Sequence, residues 1–117
     1  ALTALARRPI DLPLVVVDND GGGIFSFLAQ ADAMDHERFE LLFGTPHGLD
    51  LAALAAAYGV RARRLDPRED VTGAVAEAAA EGGVQVLVVP TDRAANVEVH
   101  RRVDDAVAAA VEAALAG

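Results

Sequence analysis

Leu14–Phe25 reads LVVVDNDGGGIF. An unbroken aliphatic run, mostly β-branched, passes into a carboxylate, an amide, a second carboxylate and then three glycines. A short continuous apolar run bounded by Pro13 and a Gly-rich loop predicts a parallel strand over Leu14–Val17, buried on both faces. In open α/β sheets, ligands bind beyond the carboxyl ends of the strands, which is where this loop falls. Glycine lets the main chain approach a ligand and adopt positive φ. The apolar Ile24–Leu28 predicts a following helix whose free N–H groups point toward that ligand. The loop lacks the Lys-Ser or Lys-Thr of a P-loop and is not G-x-G-x-x-G. It has no basic residue, and Asp18 and Asp20 repel a phosphate unless a divalent cation stands between. Magnesium takes hard oxygen ligands and bridges phosphates. The amide oxygen of Asn19 and a loop carbonyl suit it. A tight turn without chemistry is the other reading of these residues.

Working outward, strands alternate with helices. Leu2–Arg8 reads as the tail of a helix closed by Pro9. Ala29–Arg38 is polar and irregular and reads as a surface loop, and Phe39–Phe43 as a short apolar element before the turn GTPHG. Asp50 caps a helix over Leu51–Tyr58, and Gly59 ends it. Val60–Leu65 reads as a strand at or near a sheet edge, its arginines forming a solvated face. Asp70 caps a helix through Ala80, which Gly82 and Gly83 end. Val84–Val89 is a second buried strand, and Asn96 begins a long helix to Leu115. Along it Val99, Val103, Val107, Ala110, Val111 and Ala114 fall at three- and four-residue spacing, giving one apolar face. The order predicts an α/β fold, a three-layer parallel sheet with flanking helices. One side of the Leu14–Val17 strand is expected to be an unpaired edge, and unpaired edges recruit partners, so self-association is expected.

Composition narrows the function classes. The chain has 117 residues, enough for one modest domain, and 53% of them are hydrophobic, so a packed core is expected. A net charge of −8 argues against nucleic acid as a partner. The absence of cysteine excludes disulfides and zinc–thiolate sites and fits a cytoplasmic protein. No apolar run has the length of a membrane span, and the first residues do not read as a signal peptide.

Three separated stretches, DNDGGGIF, LFGTPHGLDLAALAAAYGV (Leu42–Val60) and TDRAANVEVHRRV (Thr91–Val103), carry a resemblance. The first resembles the second half of the thiamine-diphosphate motif, in which Gly-Asp-Gly is followed downstream by Asn-Asn. Together the three resemble the C-terminal end of the 2-succinyl-5-enolpyruvyl-6-hydroxy-3-cyclohexene-1-carboxylate synthases of menaquinone biosynthesis. The resemblance implies that residues 1–117 are the C-terminal portion of a thiamine-diphosphate-binding domain. It implies thiamine diphosphate and Mg²⁺ as cofactors and 2-oxoglutarate and isochorismate as substrates. The implied reaction is a decarboxylating, carbon–carbon bond-forming transfer. By position, Asn19 would be the side-chain ligand to Mg²⁺ and Gly21 the carbonyl ligand. Asp20, Gly22, Gly23, Ile24 and Phe25 would complete the cofactor-binding loop, with Ile24 and Phe25 as apolar wall. Asp18 stands where the family has its first Asn. No Gly-Asp motif precedes Asn19, since Asp11 in PIDLP is wrongly placed. The chain is therefore expected to be part of a longer enzyme, inactive alone, with no catalytic residue of its own.

The remaining polar residues read more plainly. His47 in GTPHG invites a general-base role, but it has no partner at informative spacing, and a loop-ordering role is expected. His36 and His100 read as surface residues, Arg93 as an exposed loop arginine and Tyr58 as packed. The competing functional reading is a non-catalytic α/β module that binds an anionic small molecule or partner through the Gly-rich loop.

Overall fold

The computed structural model describes residues 2–116. The chain runs α1 (Leu2–Leu5), β1 (Leu12–Asp18), a 3₁₀ turn (Gly23–Phe27), α2 (Ala29–Ala33), α3 (His36–Phe39) and a π-type turn (Glu40–Gly44). It continues through α4 (Leu51–Ala57), β2 (Arg61–Arg64), α5 (Val71–Glu81), β3 (Val84–Pro90) and α6 (Arg93–Leu115). It divides into two compact units, Ala1–Gly21 with His47–Thr91, and Gly22–Pro46 with Asp92–Gly117.

The first unit is the expected parallel sheet, with strand order β1-β3-β2. β1 pairs with β3 from Leu12↔Val84 to Asp18↔Pro90, and β2 with the same strand from Arg61↔Gln85 to Arg64↔Val88. β3 is central, and its alternating side chains feed two cores. Val86 and Val88 pack with Ala55 and Val60 on the α4 side, joined by Leu14 and Val16. Leu87 packs with Leu65, Ala74 and Ala78 on the α5 side. Both helices are capped as the sequence suggests. Asp50 accepts from the Ala53 N–H, and Asp70 from the Thr72 N–H. Gly59 has φ +80°, the left-handed conformation that ends α4 without a Cβ penalty. Asp11 accepts from the Gly83 N–H at 2.6 Å, which ties it to the opposite end of the sheet from the glycine loop.

Several expectations change. β1 is buried on one face only: Leu14 and Val16 meet the core, whereas Val17 on the other face is 66% exposed. The core on the α5 side draws on Leu87 and Val89 of β3 and does not extend to Val17. β1 is, as expected, an edge strand. Tyr58 is exposed, because Val60 takes the buried place next to Ala55. The arginines of β2 are exposed, as read, but paired: Arg61 faces Glu81, and Arg63 bridges to Glu69 at 2.5 Å. The Arg63 guanidinium, helped by the Asp66 N–H, holds the Glu69 carboxyl below its ordinary value.

In the second unit, the expected Ala29–Arg38 loop is largely helical. Asp35 accepts from the Arg38 N–H and caps α3, a start signal inside what reads as a polar run. α6 begins at Arg93 rather than Asn96, because Asp92 caps it through the Ala95 N–H at 2.7 Å. None of the described residues of α6 is buried, and Val99, Val103, Val107 and Val111 remain about half exposed.

Leu87, 1% exposed between the sheet and α5, should dominate the stability of the first unit. Leu87→Ala is expected to cost about 2–5 kcal/mol in urea unfolding. Val17→Ala, on the open face, should stay within about 0.5 kcal/mol. Equal losses would mean that the face of β1 bearing Val17 is covered.

Candidate cofactor and metal site

β1 delivers its last residue, Asp18, to the carboxyl edge of the sheet. The Thr91 N–H donates to the Asp18 carbonyl at 2.8 Å, which locks the ends of β1 and β3 together. The Asp18 side chain is buried, and its carboxylate is surrounded. The Asp20 N–H donates to Oδ1 at 3.1 Å, Arg64 lies 3.5 Å from Oδ2, and His47 Nε2 lies 3.5 Å from Oδ1. A carboxylate taken out of water needs such partners, so the Asp at this position is compensated by an arginine from β2.

From Asp18 the chain turns sharply. Asp20 has φ +52° and Gly21 φ +136°. Asp tolerates the left-handed region better than most residues, whereas the Gly21 value favours a residue without Cβ. The Asp20 carboxylate reaches across the sequence, and its Oδ1 accepts from the N–H groups of His47 at 3.0 Å and Gly48 at 2.8 Å. His47 Nδ1 accepts from the Leu49 N–H at 3.0 Å, so the proton of the neutral ring sits on Nε2, facing Asp18. His47 thus has a loop contact through the Leu49 N–H and also carboxylate neighbours, Asp18 and Asp20. Its two carboxylate partners are missed by sequence reasoning, because they lie 27 and 29 positions away with no local pattern to announce them. Between the two anchored aspartates, the Asn19 side chain makes no hydrogen bond among the described residues.

The remainder of the Gly-rich stretch belongs to the second unit. The Gly22 N–H donates to the Gly44 carbonyl at 2.7 Å, and a Cβ on Gly22 would lie 2.2 Å from the Phe43 carbonyl oxygen. Gly22 is therefore required by close packing. Gly23 opens a 3₁₀ turn of five residues, not the α-helix expected there, so this segment offers no helix dipole of consequence. Phe25 packs against Phe43, and Phe43 stacks on the buried Phe39. Ile24 projects outward, 73% exposed. Behind Gly44, Arg93 forms a two-armed pair with Glu40 at 3.2 and 2.5 Å. Arg93 is not the exposed loop arginine expected: its side chain is 16% exposed, because α6 starts early enough to place it against Glu40. His100, expected to be solvated, meets the Phe27 ring edge-on at 5.0 Å.

Residues 1–89 match the family model of the thiamine pyrophosphate enzyme C-terminal TPP binding domain. The chain belongs to this family. It is 46% identical over 102 residues to the 2-succinyl-5-enolpyruvyl-6-hydroxy-3-cyclohexene-1-carboxylate synthase of Myxococcus xanthus, covering 87% of this chain and 17% of that protein. It is 48% identical over 97 residues to the synthase of the same name from Nocardia farcinica, covering 82% of this chain and 17% of that protein. With the Thermobifida fusca synthase the identity is 44% over 104 residues, 89% of this chain and 17% of that protein. The chain thus spans about a sixth of the length of the curated relatives it matches.

Thiamine diphosphate is the cofactor of this family's domain, and the residues present fit it. The carboxyl edge of the sheet presents an amide side chain, Asn19, without a hydrogen bond among the described residues, beside backbone held open by glycine. Among the described residues no cluster of three or more His, Cys, Asp or Glu is placed to hold a metal ion. No helix among the described residues is long and apolar enough to cross a membrane.

Gly22→Ala should force Phe43 or the 3₁₀ turn to move, at a cost of about 1–3 kcal/mol by overpacking. Ile24→Ala, next door but exposed, should be nearly neutral for stability. Thermal unfolding by circular dichroism separates the two, and a Gly22→Ala chain as stable as the parent would show that the packing around Phe43 is loose.

Proposed function

We propose that the chain is the C-terminal part of the cofactor-binding domain of a thiamine-diphosphate- and Mg²⁺-dependent synthase. The reading assigns the whole enzyme the decarboxylation of 2-oxoglutarate and the transfer of the remaining four-carbon unit to isochorismate, in menaquinone biosynthesis. The single observation that carries it is Asn19, whose amide makes no hydrogen bond among the described residues while both flanking aspartates are engaged. The similarity to three synthases of one name supports the substrate class.

In this reading the Asn19 amide oxygen and the Gly21 carbonyl are the chain's two ligands to Mg²⁺. Gly22 and Gly23 keep the following backbone free of side chains beside the diphosphate. Ile24 and Phe25 supply apolar surface that excludes water from the cofactor's ring. Asp20 shapes the loop through the His47–Gly48 backbone. Thiamine diphosphate, when bound, supplies the electron sink for decarboxylation and carbon–carbon bond formation. The enzyme works in the cytoplasm on soluble substrates.

In the complete synthase, Asn19→Ala should weaken Mg²⁺ and thiamine diphosphate together, by roughly ten- to a hundred-fold in apparent affinity, since a charge-assisted contact is worth about 1.5–3 kcal/mol. Excess Mg²⁺ should recover part of the loss. His47→Ala keeps the backbone N–H that Asp20 uses and should change affinity little. Calorimetric titration decides: parental affinity in Asn19→Ala would leave the loop as a turn without a metal.

The same reading includes self-association, supported by the edge position of β1 and the exposed Val17. Sedimentation of the chain should show mass rising with concentration. A monomer throughout the millimolar range would remove that element and leave the cofactor assignment standing.

A further inference from the structure

We infer that Asp20 is a positioning residue: by gripping the His47–Gly48 backbone it sets the turn that presents Asn19. The inference rests on the assignment of Asn19 to the metal and adds to it a device that holds this ligand in place.

The geometry is specific. Asn19 lies between two residues that are each fixed by a carboxylate. On one side, Asp18 ends β1, its carbonyl bound by Thr91 and its Oδ1 by the Asp20 N–H. On the other, Asp20 Oδ1 accepts two N–H groups from residues 27 and 28 positions on. Two donors converging on one carboxylate oxygen form a charge-assisted pair of the kind seen where a loop is held rather than merely allowed. Asp20 is also in the left-handed region, φ +52°, which a non-glycine residue adopts only when its surroundings repay the cost. The two backbone N–H bonds contribute to that repayment. The backbone at Asn19 is therefore pinned at both ends, and a short amide side chain on pinned backbone has little freedom beyond its own rotamers. A metal ligand set this way needs no reorganisation when the ion arrives, which is how outer-shell contacts commonly support a first ligand.

The left-handed φ supplies a clean test. Asp20→Gly retains access to that conformation and removes the carboxylate, and Asp20→Asn retains both the conformation and an oxygen acceptor. Hydrogen exchange followed by NMR on this chain reports the grip directly, with no cofactor present. The His47 and Gly48 amides should exchange about tenfold faster or more in Asp20→Gly, as expected for losing a hydrogen bond to a charged group. Asp20→Asn should restore most of the protection. Unchanged protection in Asp20→Gly, with the sheet amides intact, would overturn the grip. The second readout, on the complete synthase, is the affinity for thiamine diphosphate at fixed Mg²⁺. Asp20→Gly should lower it by about tenfold, and Asp20→Asn by much less. If the amides lose protection in Asp20→Gly while cofactor affinity holds, and Asn19→Ala still weakens binding, then Asp20 is only structural and the metal assignment survives. If neither Asn19→Ala nor Asp20→Gly changes affinity, the metal assignment itself fails and the positioning role with it.

Discussion

The parallel pairing of β1 with β3 is the constraint on which the rest depends. Its register runs level from Leu12↔Val84 to Asp18↔Pro90, so both strands end at the same height. Asp18 and Thr91 therefore meet, and the chain leaves the sheet at one defined point. β2 joins the other side of β3 in a register that ends at Arg64↔Val88. This brings a guanidinium within 3.5 Å of the buried Asp18 carboxylate. A slip of one residue in either pairing would turn every side chain to the opposite face. A slip of β1 would exchange Leu14 and Val16 for Val15 and Val17 on the α4 side and take Asp18 out of its pocket.

What leaves the sheet is a stretch in which neighbouring residues answer different demands. Gly21 is there for its positive φ, and Gly22 because the Phe43 carbonyl leaves no room for a Cβ. Asp18 and Asp20 look like a repulsive pair when read in line, but they do not act as one. The first faces Arg64, and the second faces two backbone N–H groups. Both negative charges are engaged by the protein, and the neutral amide of Asn19 lies between them. The acidic character of the loop is thus taken up locally by Arg64 and by the His47 and Gly48 N–H groups.

The second unit has its own organising contact. Glu40 and Arg93, 53 positions apart, form a partly buried pair that packs against Gly44, whose carbonyl in turn receives the Gly22 N–H. Such a pair contributes to geometry more dependably than to net stability, because desolvation offsets much of the attraction. The three phenylalanines 25, 39 and 43 supply the apolar contact beside it. The valine stripe of α6 stays about half exposed.

The sequence by itself determined what local rules control. The β-branched runs made strands, the caps at Asp50 and Asp70 started helices, Gly59 ended one, and the alternation of elements required a parallel sheet. The Gly-rich loop at a strand's carboxyl end was legible, and the resemblance named the family's cofactor before any geometry. Local reasoning failed where a cap hid in a polar run, as with Asp35 and Asp92. Tertiary structure alone decided the rest. Whether Val17 is covered depends on how far the α5-side core reaches, and whether Arg93 is buried depends on Glu40. That Asp20 grips His47 and Gly48 depends on folding that brings together residues 27 and 28 positions apart. Hydrogen bonds and ion pairs of that span carry no periodicity in the chain, because their partners are neighbours only after the sheet has fixed where each loop begins.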